Sequence, residues 1–501
     1  MTNNPLYKEY KQILQKAADL NNAAAVLGWD QEVYMPPKGA YFRGRQLATL
    51  ASQAHELLTG ERLGHLLDQL KFANDLNPTE QANVLRSFED YSKNRKLSAE
   101  FVEELSMQTS ACFNAWIEAR RANDFSKFAP SLEKMVALKR KQAEMYQYES
   151  HPYDALLDEY EPGIRVATLD QVFNGIKTEL PVILSKIKAA KQVDDSFFYR
   201  HYPKQLQWDF SMTVLKAMGY DLEAGRQDLS EHPFTTSFAP TDVRVTTRVS
   251  EDNYASLLWS TIHEGGHALY EQGMPEDEYG MPCGAAASLG IHESQSRLWE
   301  NCIGRGADFW NHFFPVLKEH FPSQLSDVTA NGFFKATNKV EPSFIRTEAD
   351  EITYHFHVLI RYEIEKALIE GKIEVKDLPA KWNELYTHYL GITPADDVTG
   401  VLQDAHWSHG SFGYFPTYTL GSFYASQFYA HAQKAIPTLD SDIAAGQTAE
   451  LLSWLRKNIH VHGRRYTSEE LCELVTGERL NTGYFLNYAR KKYSAVYNID
   501  L

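Results

Sequence analysis

The sequence is poor in cysteine, in basic charge and in long apolar runs, and each shortage removes a class of protein. Four cysteines, Cys112, Cys283, Cys302 and Cys472, are scattered over 501 residues. That is too few, too far apart, for a disulfide framework or a cysteine zinc site. Lys and Arg number 50 against 66 Asp and Glu, a net charge of −16. Nucleic-acid binders need a basic surface to displace counterions, so nucleic acid is not an expected partner. No apolar stretch approaches the ~18 residues that span a bilayer, so no membrane partner is expected either. The first residues, MTNNPLYKEYKQIL, carry neither a basic nor an apolar signal region, which gives a cytoplasmic expectation. Internal repeats, low-complexity tracts and linkers are also missing. What is present is a hydrophobic content of 43% with 13% aromatics, enough for a substantial core and too much for a disordered chain.

Most of the chain has apolar residues at helical spacing. Helices are expected at 5–21, 41–59, 78–92, 97–122, 126–148, 168–190, 203–218, 251–272, 284–304, 308–320, 347–371, 375–388 and 421–434. The exception is 230–250, rich in Thr and Val, where Asp242-Val243-Arg244-Val245-Thr246-Thr247-Arg248 alternates as a strand does. It reads as a small antiparallel hairpin. The expected class is therefore all-α, mainly helical, with one small antiparallel β element. One domain is expected over 1–501, with a helical first half (1–229) and a second part (230–501) holding the hairpin, metal-binding helices and a loop. That loop, 391–418, is dense in Gly, His, Asp and aromatic residues, a composition more typical of function than of filler.

Thr261-Ile262-His263-Glu264-Gly265-Gly266-His267 contains the H-E-x-x-H pattern. Positions i and i+4 share one helix face, so both imidazoles can reach one ion, and Glu264 beside them can take a proton from an activated water. Eighteen histidines make a chance match a real risk, but the context favours a helix. Ser250 is the expected cap, Glu251 and Asp252 the acidic first turn, and Gly273 and Pro275 the stop. Two glycines inside a helix each cost about 1 kcal/mol, and such a broken rule often marks function or tight packing. A catalytic zinc wants a third ligand. Spacing alone leaves Glu293, Glu271, Glu276, Glu278 and Glu300 as candidates. Glu293 allows an antiparallel helix to return to the ion, and Glu271 suits an outer role.

Several further motifs follow in order: His232-Pro233-Phe234, Asp242-Val243-Arg244-Val245-Thr246, His292-Glu293-Ser294-Gln295, Ile345-Arg346-Thr347-Glu348-Ala349-Asp350 and Gly400-Val401-Leu402-Gln403-Asp404-Ala405-His406-Trp407. Together with the pentad they resemble the Taq-type thermostable metallocarboxypeptidases, peptidase family thirty-two, through nearly the whole chain. The resemblance implies a single helical body with a deep groove, related to neurolysin-like and angiotensin-converting-enzyme-like peptidases. It implies ligation by His263, His267 and Glu293, with Glu264 as base. It implies release of single C-terminal amino acids with broad specificity, zinc or cobalt as the metal, and a homodimer. A neurolysin-like oligopeptidase or dipeptidyl carboxypeptidase is the nearest alternative. A helical binding protein with a vestigial metal site is the alternative from another class.

A carboxypeptidase must hold a terminal carboxylate, and a guanidinium does this well. Arg346, expected at the start of an acidic helix, is the first candidate and Arg244 the second; either can instead be a structural ion pair. Tyr418, then Tyr414, are candidates for donating to the oxyanion from a mobile glycine loop. His232, His406 and His409 are candidates for lining the groove. His460 and His462 alternate as on a strand, where a folded terminal element is a better account than a second metal site. Trp29-Asp30-Gln31-Glu32 and His151-Pro152-Tyr153-Asp154 carry no chemistry derivable from sequence.

Overall fold

The computed structural model describes residues 4–501 and is mainly helical. The chain forms two compact units. The first comprises residues through Asn94, then Asp194–Thr337 and Tyr424–Asn481; the second comprises Arg95–Val193, Asn338–Phe423 and Thr482–Leu501. Among the described residues no helix is long and apolar enough to cross a membrane.

In the first unit, helices α1 (Pro5–Val33) and α2 (Ala40–Thr59) are followed by Glu61–Leu70 and Pro78–Asn94. Asn4 caps α1 by accepting from the N–H groups of Leu6 and Tyr7. Helix α3 (Lys204–Met218) leads into a three-stranded sheet of β1 (Gly225–Leu229), β2 (Thr235–Ala239) and β3 (Asp242–Thr247). The expected antiparallel hairpin is β2 with β3. Sequence reading missed β1, which pairs parallel with β3 and leaves β2 as an edge strand. Helix α4 (Tyr254–Glu271) then carries the pentad, and α5 (Leu289–Arg297) runs on into a π-helical turn at Leu298–Gly304.

Helix α4 starts later than the sequence suggests. Its N-cap is Asn253, not Ser250, and Glu251 and Asp252 lie outside the first turn. The reason is a competing contact: Glu251 accepts from the backbone N–H of Lys204 at 2.9 Å and so caps α3 instead. The two glycines have separate explanations. A Cβ on Gly266 would lie 2.7 Å from the Cα of Ser296 on α5, so the residue permits helix contact at backbone distance. A Cβ on Gly265 would meet only the ends of the Leu215 and Met218 side chains, at 2.8 and 3.0 Å.

In the second unit, the expected helix 347–371 is shorter, α6 (Tyr354–Glu370). The carboxylate of Asp350 accepts from the N–H groups of Ile352 and Thr353 at 2.9 Å each, which holds the preceding segment in turns. Arg346 therefore lies in a short 3-10 turn, Arg346–Glu348, and not at a helix start. Helix α7 (Pro416–Ala435), whose part through Phe423 belongs to this unit, begins earlier than expected and takes in Tyr418. His460 and His462 fall in a kinked 3-10 segment, His460–Arg465 of the first unit, rather than on a strand.

Candidate metal centre and flanking site residues

One turn of α4 places His263 and His267 on the same face, and α5 presents Glu293 to both. Glu293 Oε2 lies 3.6 Å from His263 Nε2 and 3.5 Å from His267 Nε2. The ligating atoms of the three all fall within 4.8 Å of one another. Two imidazoles and a carboxylate at that separation fit a single divalent cation of the first transition row.

The far side of each imidazole is held. Glu300 Oε2 is 2.8 Å from His263 Nδ1 and accepts its proton, which leaves Nε2 as the lone-pair donor. His267 Nδ1 lies 2.6 Å from His292 Nδ1, and His292 Nε2 lies 2.8 Å from Glu271 Oε1. With Glu271 as acceptor, His292 carries its proton on Nε2 and accepts from His267 Nδ1. The chain of three again leaves His267 Nε2 free to ligate.

Arginines balance these acids. Arg297 donates to Glu293 Oε1 at 2.7 Å and to Glu300 Oε2 at 3.3 Å, while Arg305 donates to Glu300 Oε1 at 2.9 Å. Burial alone raises the two carboxyls. Arg297 with His263 and His267 outweighs it at Glu293, and Arg297 with His263 and Arg305 does so at Glu300, so both stay ionised well below the usual carboxylate range. The π-helical turn is what brings Glu300 back to α4, an irregularity often found at functional sites.

Glu264, 8% exposed, is gripped from the sheet: Thr235 Oγ1 donates to its Oε2 at 2.6 Å. Beside it a cavity of about 710 Å³ is lined by the edge strand, with Thr235, Ser237 and Phe238, and by Glu271, Tyr279 and Arg464. Arg244 is paired with Asp242 through two 2.8 Å bonds and stacks over Trp29, 4.4 Å from its ring centre. Its register partner Arg226 is paired in the same way with Asp228 and lies 5.5 Å from the same ring. Trp29, without derivable chemistry in the sequence, thus clamps α1 to the sheet. His232 is exposed in the turn after β1, where its carbonyl accepts from Ser230 Oγ at 2.6 Å.

The second unit holds a different cluster. Arg346, 6% exposed, donates from Nε and Nη2 to Asp404 Oδ1 at 3.0 and 2.9 Å, and from Nη1 to the Tyr354 hydroxyl at 3.0 Å. Arg361, fully buried, donates from Nε to Asp404 Oδ2 at 2.7 Å and from Nη2 to Gln403 Oε1 at 2.8 Å. Asp404 is largely but not wholly shielded from solvent, and the two guanidiniums hold it far below the normal carboxylate range. Burial, helped by Arg346 and Arg361 and opposed by Asp404, pushes His406 down to about 3, so its ring is neutral. His406 Nε2 is 3.2 Å from the Tyr418 hydroxyl, and the Arg346 guanidinium lies over the Tyr418 ring at 4.9 Å. Tyr414 packs edge-on to His406 and tilted against Tyr418, each with ring centres 5.3 Å apart. His409 is exposed and packs on Phe113 at 4.6 Å.

The structure adds residues to which the sequence reading gave no role: Thr235, Arg297, Arg305, Arg361 and Asp404. Arg297 is the only one with a local signal, four residues from Glu293 on one helix face.

A family model described as "Carboxypeptidase Taq (M32) metallopeptidase" matches residues 9–493. The chain is 42% identical to Thermostable carboxypeptidase 1 of Thermus thermophilus, covering 99% of this chain and 100% of that one. It is 38% identical to Carboxypeptidase 1 of Bacillus subtilis, covering 98% of each. The crystal structure of an M32 carboxypeptidase from Deinococcus radiodurans matches with a TM-score of 0.97 and 39% identity, over 99% of this chain and 100% of that one.

Proposed function

The chain belongs to the carboxypeptidase Taq (M32) metallopeptidase family and is a metal-dependent carboxypeptidase, and from that premise we propose how its residues divide the work. The observation that carries the reading is the His263–His267–Glu293 triad with Glu264 beside it. We read the metal as zinc because two imidazoles and one carboxylate are a usual catalytic zinc set, with cobalt as a substitute on the family resemblance alone. When bound, the ion supplies Lewis-acid polarisation of the scissile carbonyl and acidifies water.

Glu264 takes the proton of the attacking water and passes it to the leaving amine. The anchor for the terminal carboxylate is Arg346 rather than Arg244. Arg244 is matched one to one by Asp242. Arg346 and Arg361 share the single carboxylate of Asp404, so their buried cluster carries one unbalanced positive charge that an incoming carboxylate neutralises. Tyr418 is the donor to the oxyanion, with Tyr414 packed behind it, and the neutral His406 orients its hydroxyl. His232, exposed, is read as a groove residue on its family motif alone, and His409, also exposed, is kept as a groove candidate from the glycine- and tyrosine-rich stretch that it opens. Broad specificity and a homodimer come from the same resemblance, and a cytoplasmic location is proposed from the acidic, polar composition.

The test offers an N-blocked peptide as free acid and as amide, and reads products by mass. Stepwise loss of single residues from the acid alone supports the reading. Internal cleavage of both makes the enzyme an oligopeptidase. Chelation is expected to stop turnover, and Glu264→Gln to keep the metal while losing at least 100-fold in kcat.

A further inference from the structure

Glu264 is a long side chain with three rotatable bonds on a helix face that also holds two histidines. Nothing on its own helix aims it; the aim comes from the edge strand. Thr235, the first residue of β2, places Oγ1 2.6 Å from Glu264 Oε2 and 3.0 Å from the Glu264 carbonyl oxygen. A hydroxyl has one proton, and the shorter approach is to the carboxylate. That bond engages Oε2 and leaves Oε1 for the proton of the reacting water.

Two residues along, Ser237, on the same face of β2 as Thr235, lines the cavity shared with Glu271, which lies two helical turns beyond Glu264 on α4. Glu271 is the carboxylate behind His292 and, through it, behind His267. The start of the strand is itself pinned, because the Phe234 N–H donates to Thr246 Oγ1 at 2.9 Å. A hydroxyl on the strand face thus holds the Glu264 carboxylate on the helix face.

We propose that Thr235 is a positioning residue for this hydrolase: its hydroxyl fixes the Glu264 carboxylate in the orientation in which Oε1 meets the attacking water. The proposal rests on the reading of Glu264 as base. Its chemistry is orientation, worth one to two orders of magnitude when a supporting partner of a catalytic group is lost.

The experiment compares Thr235→Val and Thr235→Ser in the metal-loaded enzyme, after wild type and Glu264→Gln have been assayed on the same blocked peptide. Val keeps the shape and removes the hydroxyl, while Ser keeps the hydroxyl. Expected for Thr235→Val is a fall in kcat of about 10- to 100-fold with KM and metal affinity, read by chelator competition, within about twofold of wild type. Expected for Thr235→Ser is recovery to within about threefold of wild-type kcat. Wild-type kcat in Thr235→Val overturns the proposal alone. So does Thr235→Ser as slow as Thr235→Val, or a loss that follows metal affinity. Full activity in Glu264→Gln overturns the base assignment and the proposal with it, and is seen before the Thr235 variants are compared.

Discussion

Gly266 and Ser296 are in backbone contact: a Cβ on the first would stand 2.7 Å from the Cα of the second and 2.8 Å from the Gln295 carbonyl oxygen. That contact sets how far Glu293 reaches toward the histidines of α4. Gly266→Ala gains about 1 kcal/mol of helix propensity but must push two helices apart, an overpacking cost of about 1–3 kcal/mol. The expected outcome is a lower melting temperature and metal affinity weakened by at least tenfold in chelator competition. Gly265→Ala, facing movable side-chain ends, is expected to leave metal affinity unchanged.

Asp404 is the single carboxylate between two buried guanidiniums. Asp404→Asn keeps the shape and strands both positive charges, which costs about 3–5 kcal/mol. Denaturant unfolding reads this as a lower midpoint. Combining it with Arg361→Met is expected to cost less than the sum of the two single variants, because one stranded charge then disappears.

Glu365 on α6 is fully buried, and burial raises its carboxyl to about 7 although Trp407 Nε1, the Gly413 N–H and the Tyr153 hydroxyl all donate to it and Lys139 is near. The folded value lies above the unfolded one, so the protonated form is favoured by folding. Below about pH 4.5 both states hold the proton and the full stability is present. It is lost as pH rises through the window up to about 7, above which both states are ionised and the penalty stays constant. Glu365→Gln removes this term. The wild-type minus variant difference in unfolding free energy is expected to fall by about 3 kcal/mol from pH 4 to pH 8; a flat difference refutes it.

The pentad was legible in the sequence because its geometry is local: five residues on a helix suffice to pair two imidazoles. The motif around Glu293 was legible through family resemblance. The supporting shell was not, because it depends on contacts far apart along the chain. Glu300 returns to His263 only through a π-helical turn, and Thr235 reaches Glu264 from a strand 29 residues earlier. Helix Glu61–Leu70 was missed at Gly64, whose missing side chain makes room for the Tyr91 hydroxyl. Strand β1, Gly-Arg-Gln-Asp-Leu, has no strand pattern of its own and is made a strand by its parallel partner β3. Arg346 looked like a helix start because the carboxylate of Asp350 was counted as helical charge, whereas it caps a turn.

Each compact unit is sewn from three separate stretches of chain, and this has a consequence for biogenesis. A ribosome that has made residue 337 has made the whole metal-ligand set, yet neither unit is complete. The first still waits for residues 424–481, which bring His460 to within 3.0 Å of Gln295 behind the metal-binding helices. The second waits for the residues from Thr482 onward. The usual domain-by-domain order of synthesis, in which an N-terminal unit closes first and shelters itself, is not open to this chain. Both units stay incomplete until the last fifth of the chain or later has been made, a window in which chaperones have something to hold.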